Sequence, residues 1–275
     1  MEIRNIQLIE LDILKEIDRI CKKNGIEYWL DGGTALGAIR HKGFIPWDDD
    51  IDVGMTRDNY EKFLEIAKKE LRSNYFLQNI ETEVNCPQLY TKIKKNNTLY
   101  ISWACRKLNI HQGIYVDIFP YDYCLNDKND KKLIKKYVFL NKIFTYKVIP
   151  DRAKLPEKSL KWIIGSIFRR LLYYVLFLFP KKILLNKIQE IVNKLKSKNG
   201  SFLVSLTQEA ILFKENEIKP LNYIEFEKIK FPVPNNVDKY LTQLYGNYMK
   251  LPPVDERKGH PIYKYSILKG SINEK

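Results

Sequence analysis

Four aspartates fall within five positions, Asp48, Asp49, Asp50 and Asp52, between the apolar residues Trp47 and Val53. An extended chain alternates its side chains, so Asp48, Asp50 and Asp52 are expected on one face and Asp49, Ile51 and Val53 on the other. Ile51 and Val53 then root the strand in a core and hold the acidic row at the core's edge. Carboxylates two positions apart are about 6.6 Å apart at the backbone, near enough for two to reach one hard cation. Without a cation they repel. Mg²⁺ (or Mn²⁺) accepts oxygen ligands, and Mg²⁺ prefers one or two carboxylates completed by phosphate oxygens, so the segment predicts a site for a metal bridged to phosphate.

Upstream, Gly32 and Gly33 lack the Cβ that would keep an anion from backbone N–H groups. Thr34 is expected to cap a short helix over residues 35–40, whose first amides face the same anion. Arg40, His41 and Lys42 follow in sequence. Further on, HQGIYVDIFPYD carries a lone acid, Asp117, in an apolar strand. A charge there is costly unless it is paired with a lysine or ligated.

The string GGTALGAIRHKGFIPWDDDIDVGM resembles the LicD-type phosphotransferase family, which includes bacterial phosphocholine transferases and the animal fukutin-related proteins. Its GG(T/S) and D-x-D elements are similar to the nucleotidyltransferase fold, and D-I-F-P matches a further family motif. The resemblance implies an α/β (α+β) fold, with a mixed sheet flanked by helices. It implies Asp50, Asp52 and Asp117 as catalytic residues, Asp48, Asp50, Asp52 and Asp117 around the metal, and Gly32, Gly33, Thr34, Arg40, His41 and Lys42 on the nucleotide. The donor it implies is a CDP-alcohol, CDP-choline favoured. The acceptor is a sugar hydroxyl of a glycan or lipid-linked glycan, a precursor of lipopolysaccharide, teichoic acid or capsule. Asp49, on the opposite face, is expected behind the ligands or in solvent, and Lys92 is a candidate phosphate or acceptor contact. Two alternatives stand beside this reading: transfer of a nucleoside monophosphate on the same fold, and a non-catalytic nucleic-acid binder.

The chain's formal charge of +14 favours anionic partners without choosing among them. Dispersed basic residues, the absence of a nucleic-acid-binding signature and repulsion from the aspartates argue against nucleic acid. Isoleucines at helical spacing predict a helix over 3–23, followed by a strand over 26–30 and a helix after Thr56. Strands are expected over 75–78, 89–94, 98–103 and 114–118, with a hairpin turn at Asn96-Asn97. Later come a strand over 226–233 and a helix over 235–245, stopped by Gly246. Three regions are expected: a catalytic core over 1–124, a helical, basic and apolar elaboration over 125–199, and a segment over 200–275 that packs back on the core. In the elaboration, residues 171–179 are too few to span a bilayer. They are expected to pack on the core or another subunit, with an in-plane contact to an anionic membrane as the alternative. Dispersed cysteines and a charged N-terminus without a signal-peptide core predict a cytoplasmic location, with possible peripheral contact to the membrane's inner face.

Overall fold

Ile6, Ile9, Ile13, Ile17 and Ile20 form the buried row of helix α1 (Ile3–Asn24) in the computed structural model, which describes residues 3–152, 159–196, 200–208 and 210–267. The boundary expected at residue 199 and the last residues of the C-terminal segment lie outside the described residues. Next come β1 (Trp29–Leu30), α2 (Gly32–His41), β2 (Asp52–Thr56), α3 (Arg57–Glu70), β3 (Tyr75–Gln78), β4 (Thr91–Lys95), β5 (Thr98–Ser102) and β6 (Tyr115–Cys124). Three long helices follow, α4 (Lys128–Val148), α5 (Leu160–Phe177) and α6 (Lys181–Lys196). The chain continues through β7 (Phe202–Val204), β8 (Leu212–Lys214), α7 (Glu215–Ile218), β9 (Asn222–Phe226), β10 (Ile229–Val233), α8 (Val237–Tyr245) and β11 (Ile262–Ile267).

The fold is mixed α/β. Its main sheet runs β1-β2-β6-β4-β3, with β2 and β6 parallel and the other pairs antiparallel. The far half of β6 pairs with β7, which continues to β8. Strand β6 is central because it is apolar on both faces, with Val116, Ile118, Phe119 and Tyr121 all buried. One core gathers α1, α2, α3 and this sheet, and a second joins α4 and α6 to the end of β6 and to β7.

Several local expectations are corrected. The strand after the aspartates begins at Asp52, so residues 48–51 approach the sheet as irregular chain, although burial still alternates along them. The glycine pair is the first turn of α2 rather than a turn before it, and Asp31 rather than Thr34 is the N-cap, its side chain accepting from Gly32 N. Residues 226–233 form a hairpin instead of one strand, because Glu227 and Lys228 both take positive φ (52° and 64°) between β9 and β10. No Asn-Gly or Asp-Gly pair announces that turn. Asn97 turns the chain at φ 60°, yet β5 leaves β4 and pairs with β11. Finally, α5 does not bury its apolar stripe: of its residues only Arg169 is buried.

One buried ion pair clamps α3 to the sheet. Arg57 donates from Nε and Nη2 to the two carboxylate oxygens of Asp122, at 2.8 and 2.7 Å, and Asp122 is fully buried. Breaking one side of such a pair strands the other charge. Asp122→Asn should therefore lower the unfolding free energy by about 3 kcal/mol, read as a shift of the urea midpoint. A loss below about 1 kcal/mol would mean that Arg57 finds water instead.

Candidate active site

Parallel pairing of β2 with β6 sets Asp52 directly opposite Asp117. The backbone fixes this register: Asp117 N donates to Ile51 O at 2.9 Å. Antiparallel pairing of β4 sets Lys92 on the other side of Asp117, and its Nζ is 2.7 Å from Asp117 Oδ1. Lys92 also lies 3.4 Å above the centre of the Tyr115 ring. The sequence left Asp117 open between a lysine pair and a metal role, and the structure shows the lysine pair.

The first turn of α2 is tied to the same strand on two sides. Asp31 N donates to Asp52 O at 3.0 Å, and Asp52 N donates to the Thr34 hydroxyl at 2.8 Å. Thr34 thus positions Asp52. Gly32, at φ +47°, lies where a Cβ would stand 3.4 Å from the Tyr245 hydroxyl and 3.6 Å from Asp52 Oδ2. At Gly33 a Cβ would come within 3.1 Å of Asp48 Oδ2. With glycine at both positions, the positive end of α2 lies against the acidic row.

Arg40, His41 and Lys42 are brought to the other end. Helix α2 has ten residues, about 15 Å at ~1.5 Å each, and the triplet sits at its C-terminus. The Arg40 guanidinium donates to Tyr248 O at 2.8 Å, His41 packs edge-on against Trp47, and Lys42 is exposed. The structure therefore does not gather these three with the carboxylates.

The carboxylates crowd one another. Burial first, then Asp50 and Asp49, push Asp48 up to about 7. Burial likewise raises Asp50, and it raises Asp52 strongly, with Asp50, Asp117 and Asp31 adding to it. Asp49 behaves differently. Burial works against its ionisation, but hydrogen bonds from His260 and the Tyr100 hydroxyl outweigh that and hold it below the ordinary value. The bond to Asp49 in turn raises His260 to about 9, so the imidazole is cationic at neutral pH. Asp49 is thus the buried partner behind the row.

Oxygen donors this crowded suit a hard divalent cation. Asp49, Asp50 and His260 cluster with side-chain atoms within 4.8 Å of one another, joined by the Asp49–His260 bond, while among the described residues Asp52 and Asp117 belong to no such group. Two cavities flank the row. One, of about 400 Å³, is lined by Asp31, Gly32, Asp52, Tyr121, Tyr240 and Tyr245 among others. The other, of about 370 Å³, includes Asp50, Lys92, Asp117 and His260 with the aromatic rings of Tyr90, Trp103 and Tyr115.

Sequence reasoning passed over three residues. Asp31 is fully buried and accepts from the hydroxyls of Tyr121 and Tyr240; an Asp immediately before two glycines was a legible N-cap signal. Glu10 is also buried. Burial, then Asp50, Asp49, Asp48 and Asp117, raise its carboxyl far above the usual range, and its place on the isoleucine row of α1 was visible in the sequence. His260 lies in the closing string RKGHP, which the family resemblance covers, but its role was not legible because its partner Asp49 is 211 residues away.

The family model described as LicD/FKTN/FKRP, nucleotidyltransferase domain, matches residues 25–160. The chain is 31% identical to the lipopolysaccharide cholinephosphotransferase LicD of Haemophilus influenzae, across 98% of this chain and 99% of that protein. It is 58% identical over 31 residues to the human ribitol 5-phosphate transferase FKRP, a match covering 11% of this chain and 6% of FKRP. An uncharacterized Rickettsia typhi protein is 30% identical over 129 residues, 47% of this chain and 38% of that one. With its glycine-led helix set against paired aspartates on adjacent strands, the chain belongs to the LicD family and is a transferase.

Proposed function

We propose that this enzyme transfers a phosphoalcohol, phosphocholine in the first instance, from a CDP-alcohol to a sugar hydroxyl of a cell-surface glycan, with Mg²⁺ or Mn²⁺. The observation that carries the reading is the opposition of Asp52 and Asp117 on a wall between two cavities. In the cavity at the start of α2, the positive end of the helix dipole orients the pyrophosphate. The second cavity takes the alcohol and the acceptor sugar, and its three aromatic rings suit a quaternary ammonium. The full-length similarity to a lipopolysaccharide cholinephosphotransferase supports choline, and the short match to a ribitol 5-phosphate transferase supports the wider class of phosphoalcohols.

The acceptor oxygen attacks the phosphorus that carries the alcohol, the bond from that phosphorus to the bridging oxygen breaks, and CMP leaves. Asp117 faces the second cavity, placed to take the hydroxyl proton once Lys92 releases it. Asp50, Asp52 and Asp117, with Asp48 beside them, would hold the cation, which neutralises the pyrophosphate and the charge developing on CMP. Asp49 and His260 keep Asp50 in place, and Thr34 does the same for Asp52.

Asp52→Asn should leave the protein folded, raise Tm by roughly 2 °C through relief of repulsion, and reduce transfer at least about 10²-fold. Mg²⁺ should raise the Tm of the wild-type chain and not that of the variant; equal shifts would remove Asp52 from the metal site. Incubation with CDP-choline, CDP-ribitol and CDP-glycerol, Mg²⁺ and a delipidated envelope glycan should release CMP, fastest from CDP-choline. Release of pyrophosphate from a nucleoside triphosphate instead would identify nucleotidyl transfer.

A further inference from the structure

Helix α5 shows its apolar side to solvent. Leu160, Ile164, Ile167, Leu171, Tyr174 and Leu178 follow one another at spacings of four and three residues, and each is more than half exposed. A stripe of this kind marks a partner that the described chain does not supply. Residues 160–182 contain Lys161, Arg169, Arg170, Lys181 and Lys182 and no carboxylate, and of these Arg170 is paired with Asp151 at 3.1 Å. Two such surfaces would repel each other across a dimer, whereas an anionic lipid surface answers both the apolar stripe and the cations. Among the described residues no single helix is long and apolar enough to cross a membrane, and α5 meets α6 at a 92° elbow, so α5 can lie along a surface while α6 turns back to the second core.

A second observation comes from the inner side of α5. Arg169, 8% exposed, stacks on Tyr146 and donates from Nη2 to Ile149 O at 2.6 Å, but its Nη1 has no hydrogen-bond partner among the described residues. It lines a cavity of about 390 Å³ between α4 and α5, along with Arg152, Phe168 and Leu172. Asp151 also lines this cleft but is paired with Arg106, Lys107 and Arg170, so the Arg169 Nη1 fits the phosphate end of a lipid. That cleft shares Ala104, Thr145 and Ile149 with the cavity of Asp50 and Asp117.

We infer that α5 lies in the interface of an anionic bilayer, with the Arg169 cleft on a lipid phosphate, so that the acceptor enters the catalytic cavity from the membrane side as a lipid-linked glycan. The docking rests on α5 alone; the link to the acceptor rests on the transfer reading above. The full chain should co-sediment at low salt with vesicles of phosphatidylcholine and phosphatidylglycerol, and less with phosphatidylcholine alone. Ile164→Asp with Leu171→Asp should weaken partitioning by about tenfold or more, and Lys161→Glu with Lys182→Glu should weaken it on the anionic vesicles only. Both variants should keep wild-type CMP release with CDP-choline and delipidated glycan. Failure of the wild-type chain to bind, equal binding by the variants, or a wild-type dimer that the Asp variants split without vesicle binding would overturn the inference. Vesicle binding without CMP release would sink the transfer reading and leave the docking intact.

Discussion

The structure depends on holding like charges together. Pairing β2 with β6 in parallel register places Asp52 beside Asp117, with Asp50 and Asp48 close by, where burial makes each negative charge costly. Sheet hydrogen bonds fix those positions whether or not the carboxylates agree to be there. The apolar face of the same strands, Ile51, Val53, Val116 and Ile118, supplies the opposing stabilisation, each fully buried side chain contributing about 1.5–3 kcal/mol. A core thus presses together groups that would otherwise separate, and the stress is relieved where positive charge arrives: the end of α2, Lys92 and His260.

Around this row the protein sorts its acids by what they touch. Asp49 and Asp31 lie equally deep, but phenolic hydroxyls from Tyr100, Tyr121 and Tyr240 point at them, and Asp49 also takes two bonds from His260. Asp49 therefore stays ionised and holds His260 as a cation. Glu10, with one buried oxygen that finds no hydrogen-bond partner among the described residues, is driven toward its neutral form beneath the row. Similar side chains at similar depth so carry different charge, because their donors differ.

Much of this was legible in local sequence, for a physical reason. The alternation of burial from Asp48 to Val53, the isoleucine row of α1 and the end of α8 at Gly246 are set by side chains within one or two turns of each other. Reading failed where tertiary partners decide. Thr34 looked like a helix cap, but Asp31 already occupied that position and the hydroxyl went to Asp52 N. The triplet Arg40 to Lys42, near the aspartates in sequence, was carried away from them by the length of α2. Apolar periodicity in α5 announces a helix with one greasy side and is silent on what that side meets.

The partners of Asp49 and Asp31 come late in the chain: His260 lies 211 residues after Asp49, and Tyr240 lies 209 after Asp31. Emerging from a ribosome, the acidic row is complete long before its stabilising donors exist. Contacts of this span close more slowly than pairing within the sheet from β1 to β6. Tyr240 and His260 thus act as a late latch on acids that the first fifth of the sequence supplies.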